Sequence, residues 1–126
     1  MATAYPKRSI SELVSAFAKA AAEQAEFMAA FDPKRANSKF DQMAKLYGEL
    51  RRRGSEAQRQ LLALLESENP HIRLQAAIYT LDFEPEIAEK VITSIFRNET
   101  GSLRSEARMT LEQWRKGEIK FSWVPG

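Results

Sequence analysis

The chain has 126 residues, of which 44% are apolar and 29% charged, with a formal net charge of +2. Those values describe one globular domain able to bury its own core, and they exclude a disordered chain. There is no cysteine, which excludes disulfides, thiolate metal sites and a cysteine nucleophile, and suits a reducing cytoplasm.

Met1 to Ser9 lacks the apolar run of a secretory signal, and residues 1–8 are expected to be flexible. The alanine-rich stretch that follows is broken by Lys19, Glu23 and Glu26, so it is not a membrane span. Ser9 and Glu12 have capping-box spacing and open a first helix. Ile10, Leu13, Val14, Phe17, Ala21, Ala25 and Met28 recur at helical spacing along it. The helix is expected to end near Phe31, because Asp32-Pro33 has the form of a new N-cap and first helical residue. Ala36, Phe40, Met43, Tyr47 and Leu50 give the second helix its apolar stripe, and Arg51-Arg52-Arg53-Gly54 stops it.

Ser55 and Gln58 predict a third, short helix carrying Leu61, Leu62, Leu64 and Leu65. Asn69-Pro70 caps a fourth, whose apolar residues, from Ile72 to Leu81, cover most of its circumference; it should be the most buried helix. Glu84-Pro85 opens a fifth with Ile87, Ala88, Val91, Ile92, Ile95 and Phe96. After a turn at Asn98 to Gly101, a sixth uses Leu103, Ala107, Leu111 and Trp114 and stops at Gly117. Ile119, Phe121 and Trp123 then alternate with Lys120 and Ser122, which predicts an extended C-terminal tail over residues 118–126. The expected fold is a single all-α domain, about six helices in antiparallel hairpins, with that tail.

Two segments echo one another. Ile72-Arg73, Ala77 and Leu81 are matched by Leu103-Arg104, Ala107 and Leu111, at an offset of 31 and then 30 residues. Such a period marks stacked helical repeats. Leu61-Leu62-Ala63-Leu64-Leu65, Asn69-Pro70-His71-Ile72-Arg73 and Ala76-Ala77 through Leu81 resemble one HEAT repeat. The whole chain resembles a family of small bacterial HEAT/armadillo-like proteins known only as a domain of unknown function. The residues that carry this are Asn69 to Arg73, Ala76-Ala77, Glu86 and Thr110 to Gly117. The resemblance implies a short α-solenoid and a bacterial source, and it implies no reaction.

Each motif has a functional and a structural reading. Arg51 to Arg53 could contact phosphates, but helix-end cations explain them, and residues 1–60 hold only eleven Lys/Arg against seven Asp/Glu. A nucleic-acid partner is therefore not expected. Arg104, Arg108 and Arg115 lie within about 40° of one another on a helix. They form either a basic ridge for an acidic partner or stems that cover the edge of the core. By the HEAT resemblance, Arg73 bonds acidic or carbonyl groups of neighbouring repeats. His71, the only histidine, is read as an exposed first-turn residue without chemistry. Asp82, Glu84, Glu86 and Glu89 are read as a solvated helix start favoured by its dipole. Phe121 and Trp123 either fold back or dock on another subunit, which would make a homodimer.

No catalytic, cofactor-binding or metal-binding motif is present. The expectation is a non-enzymatic, cytoplasmic protein-interaction module with a protein partner and no membrane or cofactor. Arg73, Arg104, Arg108, Arg115, Phe121 and Trp123 are its candidate partner-binding residues. The alternatives are a nucleic-acid-binding HEAT-like protein and an immunity or regulatory protein that neutralises a cognate protein.

Overall fold

A computed structural model describes residues 8–125. Among these residues there are six α-helices, one 3₁₀ run and no strand. The helices are α1 (Ile10–Ala29), α2 (Pro33–Arg52), α3 (Ser55–Arg59), α4 (Pro70–Thr80), α5 (Pro85–Asn98) and α6 (Gly101–Arg115). They group into two compact units: residues up to Leu61 together with Trp123 onwards, and Leu62–Ser122. The flexibility expected of residues 1–8 concerns residues 1–7, outside the described residues, and Arg8, whose carbonyl accepts from Arg53 Nη1 at 2.6 Å.

The first unit is built on the α1–α2 hairpin. The capping box forms: Ser9 Oγ accepts from the Glu12 N–H at 3.1 Å, and Glu12 Oε1 accepts from the Ser9 N–H at 3.0 Å. Those bonds favour the ionised carboxylate and hold the Glu12 pKa below its ordinary value. α1 buries Leu13, Phe17, Ala20 and Ala21 against Ala36, Met43, Ala44, Tyr47 and Leu50 of α2. A two-bond Schellman turn ends α1. The Asp32 N–H donates to the Phe27 carbonyl at 2.9 Å and the Phe31 N–H to the Met28 carbonyl at 3.1 Å. Asp32 Oδ1 then caps α2 by accepting from the Arg35 N–H at 3.2 Å.

The arginine run that closes α2 is tied down. Glu49 is only 5% exposed. It accepts from Arg52 Nε and Nη2 at 2.9 and 2.6 Å and from Arg53 Nε at 2.7 Å. The Arg51 guanidinium lies 6.0 Å from the centre of the Tyr47 ring. The third helix departs from expectation. Gly54, at φ 110°, is its N-cap, no side chain caps it, and Ser55 lies inside the helix. The α-helix also ends at Arg59, so Leu61 to Leu65 lie on a 3₁₀ run, Gln60–Glu66.

In the second unit Asn69 caps α4, its Oδ1 accepting from the His71 and Ile72 N–H groups at 2.9 and 3.4 Å. Seven of the eleven residues of α4 are buried, as its apolar circumference requires. α5 contributes Ala88, Ile92 and Ile95 to this core, and α6 contributes Ala107, Thr110 and Leu111. Gly117, at φ 73°, ends α6 in a second Schellman turn, with the Glu118 N–H on the Gln113 carbonyl at 2.9 Å.

The predicted alternation of the tail does not persist. Phe121 takes a left-handed φ of 56°, which breaks a two-residue period and starts a turn at Ser122 and Trp123. Phe121 is buried in the second unit, its ring 6.3 Å from that of Tyr79. Val124 is buried in the first unit, where Trp123 stacks on Phe40 at 6.5 Å.

Candidate functional site

The first unit exposes more large apolar surface than folding requires. Met28, Phe31, Phe40 and Trp123 are 41%, 92%, 38% and 38% exposed. Ile87 and Met109 are exposed singly in the second unit, which is ordinary for a protein surface. Phe31 and Met28 line a groove of about 630 Å³ at the α1–α2 corner with Gln24, Asp32, Pro33, Ala36 and Asn37. On α2, Pro33, Ala36, Asn37 and Phe40 are spaced three and four apart and share one side of the helix. Phe40, which stacks on Trp123, lies one turn beyond the residues of α2 that line the groove.

Phe31 stands out further by its backbone. It has φ 56° at the position after the helix end where glycine is usual. A left-handed L-residue costs about 1–2 kcal/mol, and here that cost accompanies a ring left in water. Replacing Phe31 by glycine is therefore expected to raise stability by about 1 kcal/mol, measured by urea unfolding. A loss of stability would show that the ring supports the hairpin.

The flanks of this groove are charged but balanced. Asp32 pairs with Arg35 at 3.6 Å, Arg35 lies 5.8 Å from the Phe27 ring centre, and Lys39 pairs with Glu23 at 3.2 Å. Lys34 and Asp41 are exposed, two turns apart, and form no ion pair among the described residues.

The residues singled out from sequence are placed as follows. Arg73 donates from Nη1 to the Ser67 carbonyl at 2.7 Å, with Nη2 3.9 Å from Glu99. Arg104 donates to the Phe96 carbonyl at 2.9 Å and lies 4.3 Å from the Phe96 ring centre. Arg108 donates to Glu112 at 3.1 Å, and Arg115 is exposed in the last turn of α6. These arginines belong to the second unit, whereas Trp123 belongs to the apolar face of the first. Among the described residues no three His, Asp or Glu side chains converge as a metal site, and no helix is long and apolar enough to cross a membrane. Phe31 was legible in the sequence only as a helix terminus, and Phe40 only as part of a core stripe.

His71 is a correction: it is 6% exposed, because α4 is buried around most of its girth. Burial lowers its pKa. Glu106, which accepts from Gln75 Nε2 at 3.0 Å, is shifted upward, chiefly by burial. The two act oppositely on stability. The unfolded chain protonates His71 more readily, so its contribution weakens as pH falls below about 6.5. The unfolded chain ionises Glu106 more readily, so stability falls as pH rises above its unfolded value of 4.5. Glu106→Gln should therefore stabilise the protein near neutral pH, by an amount on the order of 1 kcal/mol, and the gain should vanish in acid. Urea unfolding at several pH values measures both; an equal effect at all pH values would exclude the titration.

A family profile described as Domain of unknown function (DUF2019) matches residues 11–114. The chain is similar to the protein RPA1889 from Rhodopseudomonas palustris CGA009, known from a crystal structure, at 31% identity. That similarity covers 90% of this chain and 94% of the other, with a TM-score of 0.85. No curated protein matches the sequence.

Proposed function

The chain belongs to the DUF2019 family, and from that premise we propose that it is a non-enzymatic, cytoplasmic protein-interaction module built from HEAT-like helical hairpins. One observation carries the proposal: among the described residues of the first unit four large apolar side chains stand exposed, one of them on a strained backbone. Met28 and Phe31 share one groove and Phe40 stacks on Trp123, and large apolar side chains clustered at a surface favour a protein partner. Trp123, expected from sequence to bind a partner, is one of the four.

The HEAT-like character draws support from the two arginines of the echo. Arg73 and Arg104 each send Nη1 to a backbone carbonyl shortly before their own helix, Ser67 and Phe96 respectively. The arginines are at matched positions of the echo, and their acceptors stand six and eight residues before them. The nucleic-acid alternative draws less support, because Arg52 and Arg53 are engaged by Glu49.

The test is a photo-crosslinking amino acid, p-benzoylphenylalanine, placed at Phe31 and, as a control, at Lys116. Under illumination in an extract of the source organism, the Phe31 probe should crosslink to protein and the Lys116 probe should not. Absence of any protein adduct at Phe31 would remove the reading.

A further inference from the structure

We propose that a second copy of this chain covers the apolar face of the first unit, packed across a two-fold axis with α2 antiparallel to α2. The inference rests on reading that face as a docking surface, and it names the occupant.

The charge pattern of α2 carries it. Lys34 and Asp41 are seven residues apart, so they lie on one stripe of the helix, separated along the axis by about 10 Å. Both are exposed, and neither is neutralised by an ion pair among the described residues. Between them lie Asn37 and Ser38, exposed, short and uncharged. A two-fold axis passing between Asn37 and Ser38 sets Lys34 of each copy opposite Asp41 of the other. Between Lys34 and Asp41 the stripe is thus complementary to its own inverse, which is the requirement for an isologous contact. A polyanion would meet Asp41 set between Lys34 and Lys45, the latter exposed one turn further along the same stripe.

The apolar groups follow the same operation. Phe31 lies at the N-terminal end of α2, beyond Pro33, while Phe40 and Trp123 lie on the other side of the axis. Antiparallel α2 helices carry the Phe31 ring of each copy toward the Phe40–Trp123 stack of the other. The three exposed rings of each copy, Phe31, Phe40 and Trp123, then make two reciprocal aromatic contacts. One operation thus gives both the apolar and the charged groups a partner.

Sedimentation equilibrium of the purified chain, from about 1 μM to about 1 mM, spans the range of weak and moderate self-association. The wild type should form a dimer within that range. Lys34→Glu alone and Asp41→Lys alone should each raise the dimer Kd by about tenfold, since like charges then face each other. The doubly exchanged chain, Lys34→Glu with Asp41→Lys, should return to within about threefold of the wild type. Phe31→Gly should weaken the dimer by at least about tenfold while the monomer becomes more stable than that of the wild type. A wild type that stays monomeric throughout would overturn the inference, as would a double exchange no better than the single ones. The photo-crosslinker at Phe31 separates the two claims. Adducts of dimer mass support both. Adducts only with a different protein overturn the second copy and leave the interaction module standing, and no adduct removes both.

Discussion

Replacing Glu49 by alanine is expected to destabilise the protein by about 2–4 kcal/mol. The carboxylate is nearly closed off from water, with 4% of the side chain exposed, and receives three hydrogen bonds from Arg52 and Arg53. Removing it leaves the Arg53 guanidinium, itself only 19% exposed, without its carboxylate partner beside the buried end of the hairpin. Glu49→Gln retains one acceptor oxygen in the same place and should lose less. Arg52 is the more exposed partner, at 58%, and its truncation should matter least of the three. Urea unfolding of the three variants gives the ordering. A Glu49→Ala protein as stable as the wild type would mean that the arginine run is held by something other than this carboxylate.

The second large effect is expected at Gly48. A Cβ built there would lie 2.6 Å from the Pro125 carbonyl oxygen and 3.4 Å from Val124 Cγ1. Both neighbours belong to the tail, and the first is backbone that cannot rotate away. Gly48→Ala should therefore destabilise the full chain by about 1–3 kcal/mol, through displacement of residues 123–125. In a chain ended after Ser122 the same substitution should instead stabilise by up to about 1 kcal/mol, because glycine inside a helix is unfavourable relative to alanine. The reversal of sign is the diagnostic. If alanine had the same effect with and without the tail, the close approach of Pro125 would play no part in holding it.

That contact also marks where the sequence stopped being informative. Helices α1, α2, α4, α5 and α6 were legible because capping residues and 3.6-residue periodicity are local signals: Ser9 with Glu12, Asp32-Pro33, Asn69-Pro70, Glu84-Pro85 and Gly117 all fall at or beside observed helix ends. The 3₁₀ run at Leu61 to Leu65 was not legible, since four leucines in five residues suit either helix type. His71 was misread because exposure at a helix start is a default, whereas the burial of α4 is a tertiary fact. In the tail one left-handed residue, Phe121, ends an alternation that the side chains themselves suggest. Gly48 carried no signal of its role, which exists only once residues 123–125 lie over α2. For the candidate site the gap is similar. Phe40 belongs to a stripe that is core elsewhere, and nothing in the string Phe31-Asp32-Pro33 says that the aromatic ring will be left in water.

The measurement that tests the docking face most directly is fluorine NMR of protein labelled with 5-fluorotryptophan. The chain has two tryptophans. Trp123 sits on the apolar face of the first unit, and Trp114 lies half-buried on α6 in the second. As protein concentration rises, the Trp123 resonance should shift while that of Trp114 stays fixed, and Phe31→Gly should suppress the shift. A Trp123 resonance that does not change with concentration, or a shift confined to Trp114, would contradict the two-fold docking of this face.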